Sequence, residues 1–193
     1  MYFSNDEKRI LIEEALQTGT SLENFKRIIF DMIPTFKTLN ISHDQPVHKY
    51  DIITHTYYVV QGVSDNRLVK LAALFHDIGK PTAKFRGQDG VYHYWGHPDI
   101  SYEMTYEIMK CLEYDEETIE IVTSMVKYHD TYINKTDELF DCAVNQIKPE
   151  NMHLFCELQI SDLNAHAEKY VAKHREQTIT AHADYIKRAE KLL

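Results

Sequence analysis

The chain has 193 residues, 44% hydrophobic and 26% charged, which suits one globular core and leaves a second one cramped. A formal charge of −9 and a pI near 5.6 argue against a protein whose main task is gripping long nucleic acid, and suit a small phosphorylated substrate better. The sequence holds no long apolar run, no secretory signal in MYFSNDEKRI and only three scattered cysteines (Cys111, Cys142, Cys156), so the expectation is a cytoplasmic protein with no membrane contact and no disulfide framework.

The pattern is helical nearly throughout, with 6 glycines, 5 prolines and no convincing alternation of β-branched residues. Ser4 or Asn5 caps the first helix, DEKRILIEEALQTG, which closes at Gly19. Ser21 opens LENFKRIIFDMIPTFKTLN, interrupted at Pro34, and ISHDQPVHKY reads as a loop. Asp51 begins IITHTYYVVQG, with Ile52, Ile53, Thr56, Val59 and Val60 on one face and Gly62 as the stop. The next helix, from about Asp65, is apolar almost all round at Leu71 to Phe75, the mark of a central buried helix, and Gly79 and Pro81 end it. TAKFRGQDGVYHYWGH is the longest irregular stretch and suits a short hairpin or a lid.

Pro98 is placed to start the helix DISYEMTYEIMKCLEY, and Asp115 caps EETIEIVTSMVKYHD. A polar segment follows. Pro149 then starts a long helix, ENMHLFCELQISDLNAHA, and YVAKHREQTITAHADYIKRAEKLL reads as a last helix or two. Without an internal repeat or a Gly/Ser/Pro linker, the prediction is an all-α fold, a single-domain helical bundle.

Histidine is abundant, at 11 residues, and its positions matter more than its number. His76 and Asp77 end the greasiest helix. Adjacent helical residues point about 100° apart, so they are no surface pair, yet both reach a point beside the helix. Asp162 continues the stripe of Met152, Phe155 and Leu158; an ionised carboxylate there is costly unless paired or bound to metal. His129 follows Ile119, Val122 and Val126 on their face, and His55 lies between Ile52 and Val59 on the inner face. His97 precedes Pro98 at a helix start. Taken singly, each has an ordinary account as a core histidine or a salt-bridged aspartate.

Together they occupy five helix ends or inner faces. The intervals are 21 residues from His55 to His76, 21 to His97, 32 to His129 and 33 to Asp162. Each is about one helix plus a connection, so successive helices can deliver one ligand apiece to a common centre. Mixed imidazole and carboxylate donors suit one or two ions of Fe, Mn, Ni, Co or Zn and argue against a pure Mg site.

The ordered set His55, His76-Asp77 and Asp162, with HDIGKP around the doublet, closely resembles the HD superfamily of metal-dependent phosphohydrolases. IPTFKTLN…QPVHKYDIITHT, LAALFHDIGKP and YHYWGHPDIS are similar to the HD domain that follows the catalytic head in bacterial tRNA nucleotidyltransferases and poly(A) polymerases. The resemblance divides the chain into an N-terminal helical extension (1–24) and one compact HD domain (25–193) with a metal site in its centre. No Gly-Ser motif followed by Asp-x-Asp is present, so polymerase activity is not implied.

By position, the resemblance makes His55, His76, Asp77 and Asp162 the metal ligands. His97 and His129 become ligands of a second ion, with Asp77 bridging. Lys80 matches the lysine of the HDIGK pattern and would contact a phosphate; Arg86 is a further candidate phosphate contact, with an ordinary surface arginine as the alternative. His48 and His93 are candidate outer hydrogen-bonding groups or exposed loop histidines. His43-Asp44 lies in a loop with no apolar helix before it and is discounted, and of His129-Asp130 only the histidine faces inward. The aromatics of YHYWGH suit stacking a base or closing the core.

What the resemblance implies is metal-activated hydroxide attacking a phosphomonoester or phosphodiester of a nucleotide, with Asp77 and Lys80 in catalytic roles. The competing class is a non-catalytic, metal-stabilised RNA- or protein-binding HD module. Acidic charge counts against RNA, and a full ligand set counts against a purely structural metal.

Overall fold

A computed structural model describes residues 3–193 and resolves the periodicity into ten α-helices, three 3-10 turns and a two-stranded hairpin. The helices are α1 (Asn5–Ala15), α2 (Leu22–Met32), α3 (Ile52–Gly62), α4 (Arg67–Phe75), α5 (Lys80–Ala83), α6 (His97–Cys111), α7 (Glu116–Tyr128), α8 (Asp137–Ile147), α9 (Met152–Asn164) and α10 (Glu168–Ala189). Side-chain oxygens of Ser4, Ser21, Asp51, Asn66, Asp115 and Thr136 each accept a backbone N–H of the first turn they precede, which sets where those helices begin. The irregular stretch after α5 folds into the hairpin, with β1 (Phe85–Arg86) antiparallel to β2 (Tyr92–His93).

Several boundaries differ from the sequence expectation, each for a local reason. The polar segment before Pro149 contains α8: Thr136 caps it, and Phe140, Ala143, Val144 and Ile147 form a buried stripe among acidic neighbours. Pro34 interrupts the second helix as expected and opens a 3-10 turn (Pro34–Leu39), whereas Pro149 opens another (Pro149–Asn151) instead of starting the α-helix, which begins at Met152. The central helix runs only from Arg67 to Phe75, and Pro81 falls inside the short α5. The C-terminal segment, expected as one helix or two, is one helix, α10.

Helix α4 is the axis of the core. Every residue from Val69 to Phe75 is buried, and α3, α7 and α9 pack around it. Lys70 is the one charge in that run, and its ammonium is fully engaged by the Val60 carbonyl (2.8 Å), Thr18 Oγ1 (3.1 Å) and Asp65 (3.2 Å). Two glycines let site-bearing helices close on one another. A Cβ at Gly62, the end of α3, would collide with the Ser161 side chain of α9. A Cβ at Gly79 would lie 2.7 Å from the Ser101 amide nitrogen and 2.8 Å from the His97 carbonyl oxygen, both on α6. Among the described residues no helix is long and apolar enough to cross a membrane, and all three cysteines are unpaired.

Candidate metal centre

Five elements deliver polar side chains to one point beside the end of α4. His55 comes from the middle of α3, His76 and Asp77 from the turn after α4, His97 from the first turn of α6, His129 from the end of α7 and Asp162 from the end of α9. His55, His76 and Asp77 are at most 1% exposed, and His97 and His129 at most 6%. His55 Nε2 lies 2.9 Å from Asp162 Oδ1 and 3.6 Å from Asp77 Oδ2. His76 Nε2 lies 3.2 Å from Asp77 Oδ2 and 3.4 Å from His55 Nε2. The other oxygen, Asp77 Oδ1, faces His97 Nε2 at 3.2 Å and His129 Nε2 at 3.7 Å. Asp77 therefore stands between two imidazole pairs, one oxygen toward each.

The donor set fits divalent cations on an observation independent of any family. Nδ1 of His76, His97 and His129 each meets the backbone carbonyl three residues earlier, at 2.8, 2.9 and 2.7 Å. A carbonyl only accepts, so Nδ1 carries the proton and Nε2 presents its lone pair to the centre. Yet His97 Nε2 and His129 Nε2 face each other at 3.2 Å. Two opposed lone pairs repel unless a proton or a metal ion lies between them. Both oxygens of Asp77 are buried and accept no hydrogen bond of proper geometry, although four imidazoles and Lys80 crowd them. Such orphaned acceptors are rare in folded proteins. The pattern is that of ligands converging on cations.

The electrostatics agree. Burial alone would raise the carboxyls of Asp77 and Asp162, but His76 and Lys80 beside Asp77, and His166 and His55 beside Asp162, hold both well below the usual range. Both are therefore anions. Burial pushes His129 down to about 3, with His97 and His76 opposing its cation further, and burial also lowers His55. At His76 burial disfavours the cation, and Asp77 and Asp162 together outweigh it to raise the pKa. The centre thus sets two ionised carboxylates among imidazoles, of which His55 and His129 are kept from protonating by burial, a donor set that a cation would complete.

A cavity of about 560 Å³ opens onto this centre, reaching His97, His129, Asp162 and Lys80. Lys80 is 6% exposed, its Nζ 2.7 Å from Asp77 Oδ2 and 3.5 Å from His43 Nε2, so its charge is engaged within the protein although it lines the cavity. Arg86 is not brought to the site. It is exposed, it donates from Nε to the Gly90 carbonyl (3.1 Å), and it does not line the cavity. The two-residue period of the hairpin sends it to the face opposite its neighbour Phe85, whose partner His93 does line the cavity.

His43, discounted from sequence, is 1% exposed and stacks on His48 at 3.7 Å with the planes 5° apart. Its Nδ1 meets the Tyr50 carbonyl, and burial, reinforced by Lys80, lowers it to about 3. His166, which drew no attention in sequence, bonds from Nδ1 to the Asp162 carbonyl (2.8 Å) and lies 4.4 Å from the His48 ring. With His48 and His55 it forms a second imidazole group, its nitrogens within 4.8 Å of one another. Its one sequence signal is its place four residues after Asp162, one helical turn on. Asp44 pairs with Lys84 at 2.7 Å on the surface, while Asp130 lines the cavity beside His129.

In a comparison with known proteins, a 61-residue stretch (31% of this chain) is 36% identical to the CC-adding tRNA nucleotidyltransferase of Thermus thermophilus. That stretch is 14% of the relative's length, so the whole relative's activity is a statement about that protein alone. The profile of the HD domain matches residues 51–189, a span holding all six residues of the centre. With that match over well more than half its length, the chain belongs to the HD domain family, whose members are characteristically metal-dependent phosphohydrolases.

Proposed function

We propose that this chain hydrolyses a phosphomonoester or phosphodiester of a nucleotide, using one or two divalent transition-metal ions held by His55, His76, Asp77 and Asp162 and, for a second ion, His97 and His129. The observation that carries the reading is Asp77: buried, ionised, with Lys80 as its close cation, and divided between two imidazole pairs. When bound, such ions lower the pKa of a coordinated water and neutralise phosphate oxygens, so no protein nucleophile is required.

The chain's own groups do the rest. The backbone carbonyls of Ala73, Tyr94 and Val126 fix the tautomers of three histidines, so their lone pairs are aimed before anything binds. Lys80 holds Asp77 ionised and in place through its 2.7 Å contact, acting as a positioning residue. The cavity that reaches His97, His129 and Asp162 supports an open ligand position, which a sealed structural metal would not need. This favours catalysis over a metal-stabilised binding module.

The experiment compares metal content of the purified, unchelated chain with that of Asp77→Asn, followed by hydrolysis of p-nitrophenyl phosphate and bis-p-nitrophenyl phosphate. The expectation is about two ions per chain, mostly lost in the variant, and activity lower on the order of 10²–10³-fold. A wild-type chain without metal after reconstitution, or an Asp77→Asn variant with normal turnover, would overturn the proposal.

A further inference from the structure

We infer that Trp95, braced by Phe85 and His93 at the mouth of the cavity, is the platform on which the nucleobase of the substrate stacks. The inference rests on the phosphohydrolase reading above and adds to it the part of the molecule that recognises what the phosphate is attached to.

Neighbouring aromatics in YHYWGH have opposite fates. Tyr94 is 6% exposed and bonds from its hydroxyl to the His43 carbonyl, closing the core. Trp95, the one tryptophan of the chain, is 74% exposed. A tryptophan left in water gives up the largest apolar burial any side chain offers, so an exposed one next to a cavity calls for an occupant.

This ring is also held. The His93 ring lies 4.7 Å away and the Phe85 ring 5.2 Å, one from each strand of the hairpin, and Phe85 and His93 are themselves cross-strand partners. Asp89 fixes His93 in turn through a contact of 3.1 Å to Nε2. The three rings form a supported cluster, which limits the side-chain entropy a ligand must overcome.

Position and chemistry identify the ligand. His93 and Trp95 line the same cavity as His97 and Lys80, and Trp95 is two residues from His97. A molecule there meets charged and metal-ligating groups at one end and a flat aromatic surface at the other. A cavity of about 560 Å³ is the size of a small-molecule site. An anionic group joined to a flat aromatic one, compact enough for that space, is a nucleoside phosphate. The formal charge of −9 favours a free mononucleotide over a polyanionic strand.

The test uses the metal-loaded full chain, in which Trp95 is the whole tryptophan signal. Emission is followed during titration with AMP, GMP, CMP and UMP and, separately, with ribose 5-phosphate, which has the phosphate and sugar but no base. Turnover of the same compounds is measured in wild type, Trp95→Phe and Trp95→Ala. Because Trp95 is on the surface, both variants are expected to fold. Saturable quenching by at least one nucleotide is expected, with none by ribose 5-phosphate. In Trp95→Ala the preference for nucleotide over ribose 5-phosphate should fall by about ten- to a hundredfold, mainly through KM, with Trp95→Phe in between.

Quenching by nucleotide without turnover would support the platform while sinking the hydrolase reading. Turnover with no preference for a base, or equal loss for both compounds in Trp95→Ala, would sink the platform and leave the hydrolase standing. A short oligonucleotide that quenches at lower concentration than any mononucleotide would overturn the assignment to a free nucleotide.

Discussion

Replacing Gly79 with alanine sets two effects of opposite sign against each other. Gly79 has φ −80° and ψ −13°, a region open to any residue. On backbone grounds alone, alanine should stabilise the fold by about 0.4–1 kcal/mol by restricting the unfolded chain. The packing says otherwise. The new Cβ would sit 2.7 Å from the Ser101 nitrogen, 2.8 Å from the His97 carbonyl and 2.9 Å from Ser101 Oγ. Two of those atoms are backbone, so no rotamer change relieves the contact and α6 itself must move. Overpacking of this kind costs roughly 1–3 kcal/mol, and the Gly79 N–H bond to Ser101 Oγ, now 2.9 Å, is strained as well.

The packing effect is expected to win, lowering Tm by about 2–8 °C in thermal unfolding. The movement also has a direction. It carries His97 away from Asp77 Oδ1, now 3.2 Å distant, and metal sites tolerate only about 0.2 Å of ligand displacement. Bound metal should therefore fall by about half, with the His97 and His129 half of the centre failing first. A Gly79→Ala chain as stable as wild type, with full metal content, would refute the argument that this close approach positions α6.

Three further outcomes follow from the same geometry. Lys80→Met removes the counter-charge of a buried aspartate; in chelator the fold should lose about 3–5 kcal/mol by urea denaturation, and adding divalent metal should recover part of it. A loss that metal does not reduce would mean Lys80 and the ion are not compensating the same charge. Stripping the wild-type chain with chelator should lower its stability by about 3 kcal/mol relative to metal held at a hundred times its Kd, visible as a Tm drop of roughly 5–10 °C that re-addition reverses.

The fourth concerns acid. Burial lowers His182 to about 4 and, together with Lys80, lowers His43 to about 3, whereas the unfolded chain protonates them near 6.5. The unfolded state therefore binds more protons as pH falls below about 6.5, and stability declines from there toward pH 4 and 3. Urea unfolding should give a value roughly 2–3 kcal/mol lower at pH 5 than at pH 7. Equal values at both pH values would mean these histidines are not buried as described.

The sequence made the centre legible because burying charge is costly. A carboxylate or imidazole on an apolar helical stripe needs a partner, and the stripes through Val126 to His129 and Leu158 to Asp162 can be read with a period of 3.6 residues. The same reasoning missed α8, whose buried Phe140, Ala143, Val144 and Ile147 alternate with Asp141, Cys142 and Asn145, so that its mean polarity hid its period. It also discounted His43. Residues 41–50 have no period to follow, and the stacking of His43 on His48 depends on where that loop lies against α3 and α9.

Composition, caps and periodicity therefore determined the helical class, most of the helix starts and the set of polar residues placed at helix ends or on inner faces, because those are properties of one helix at a time. Only the tertiary structure decided which groups meet. It divided the oxygens of Asp77 between two histidine pairs, committed Lys80 to Asp77, turned Arg86 away and left Trp95 in the open. Each of those outcomes depends on contacts between elements distant in sequence, such as α6 against Gly79 and α9 against Gly62, and no local pattern encodes the distance across them.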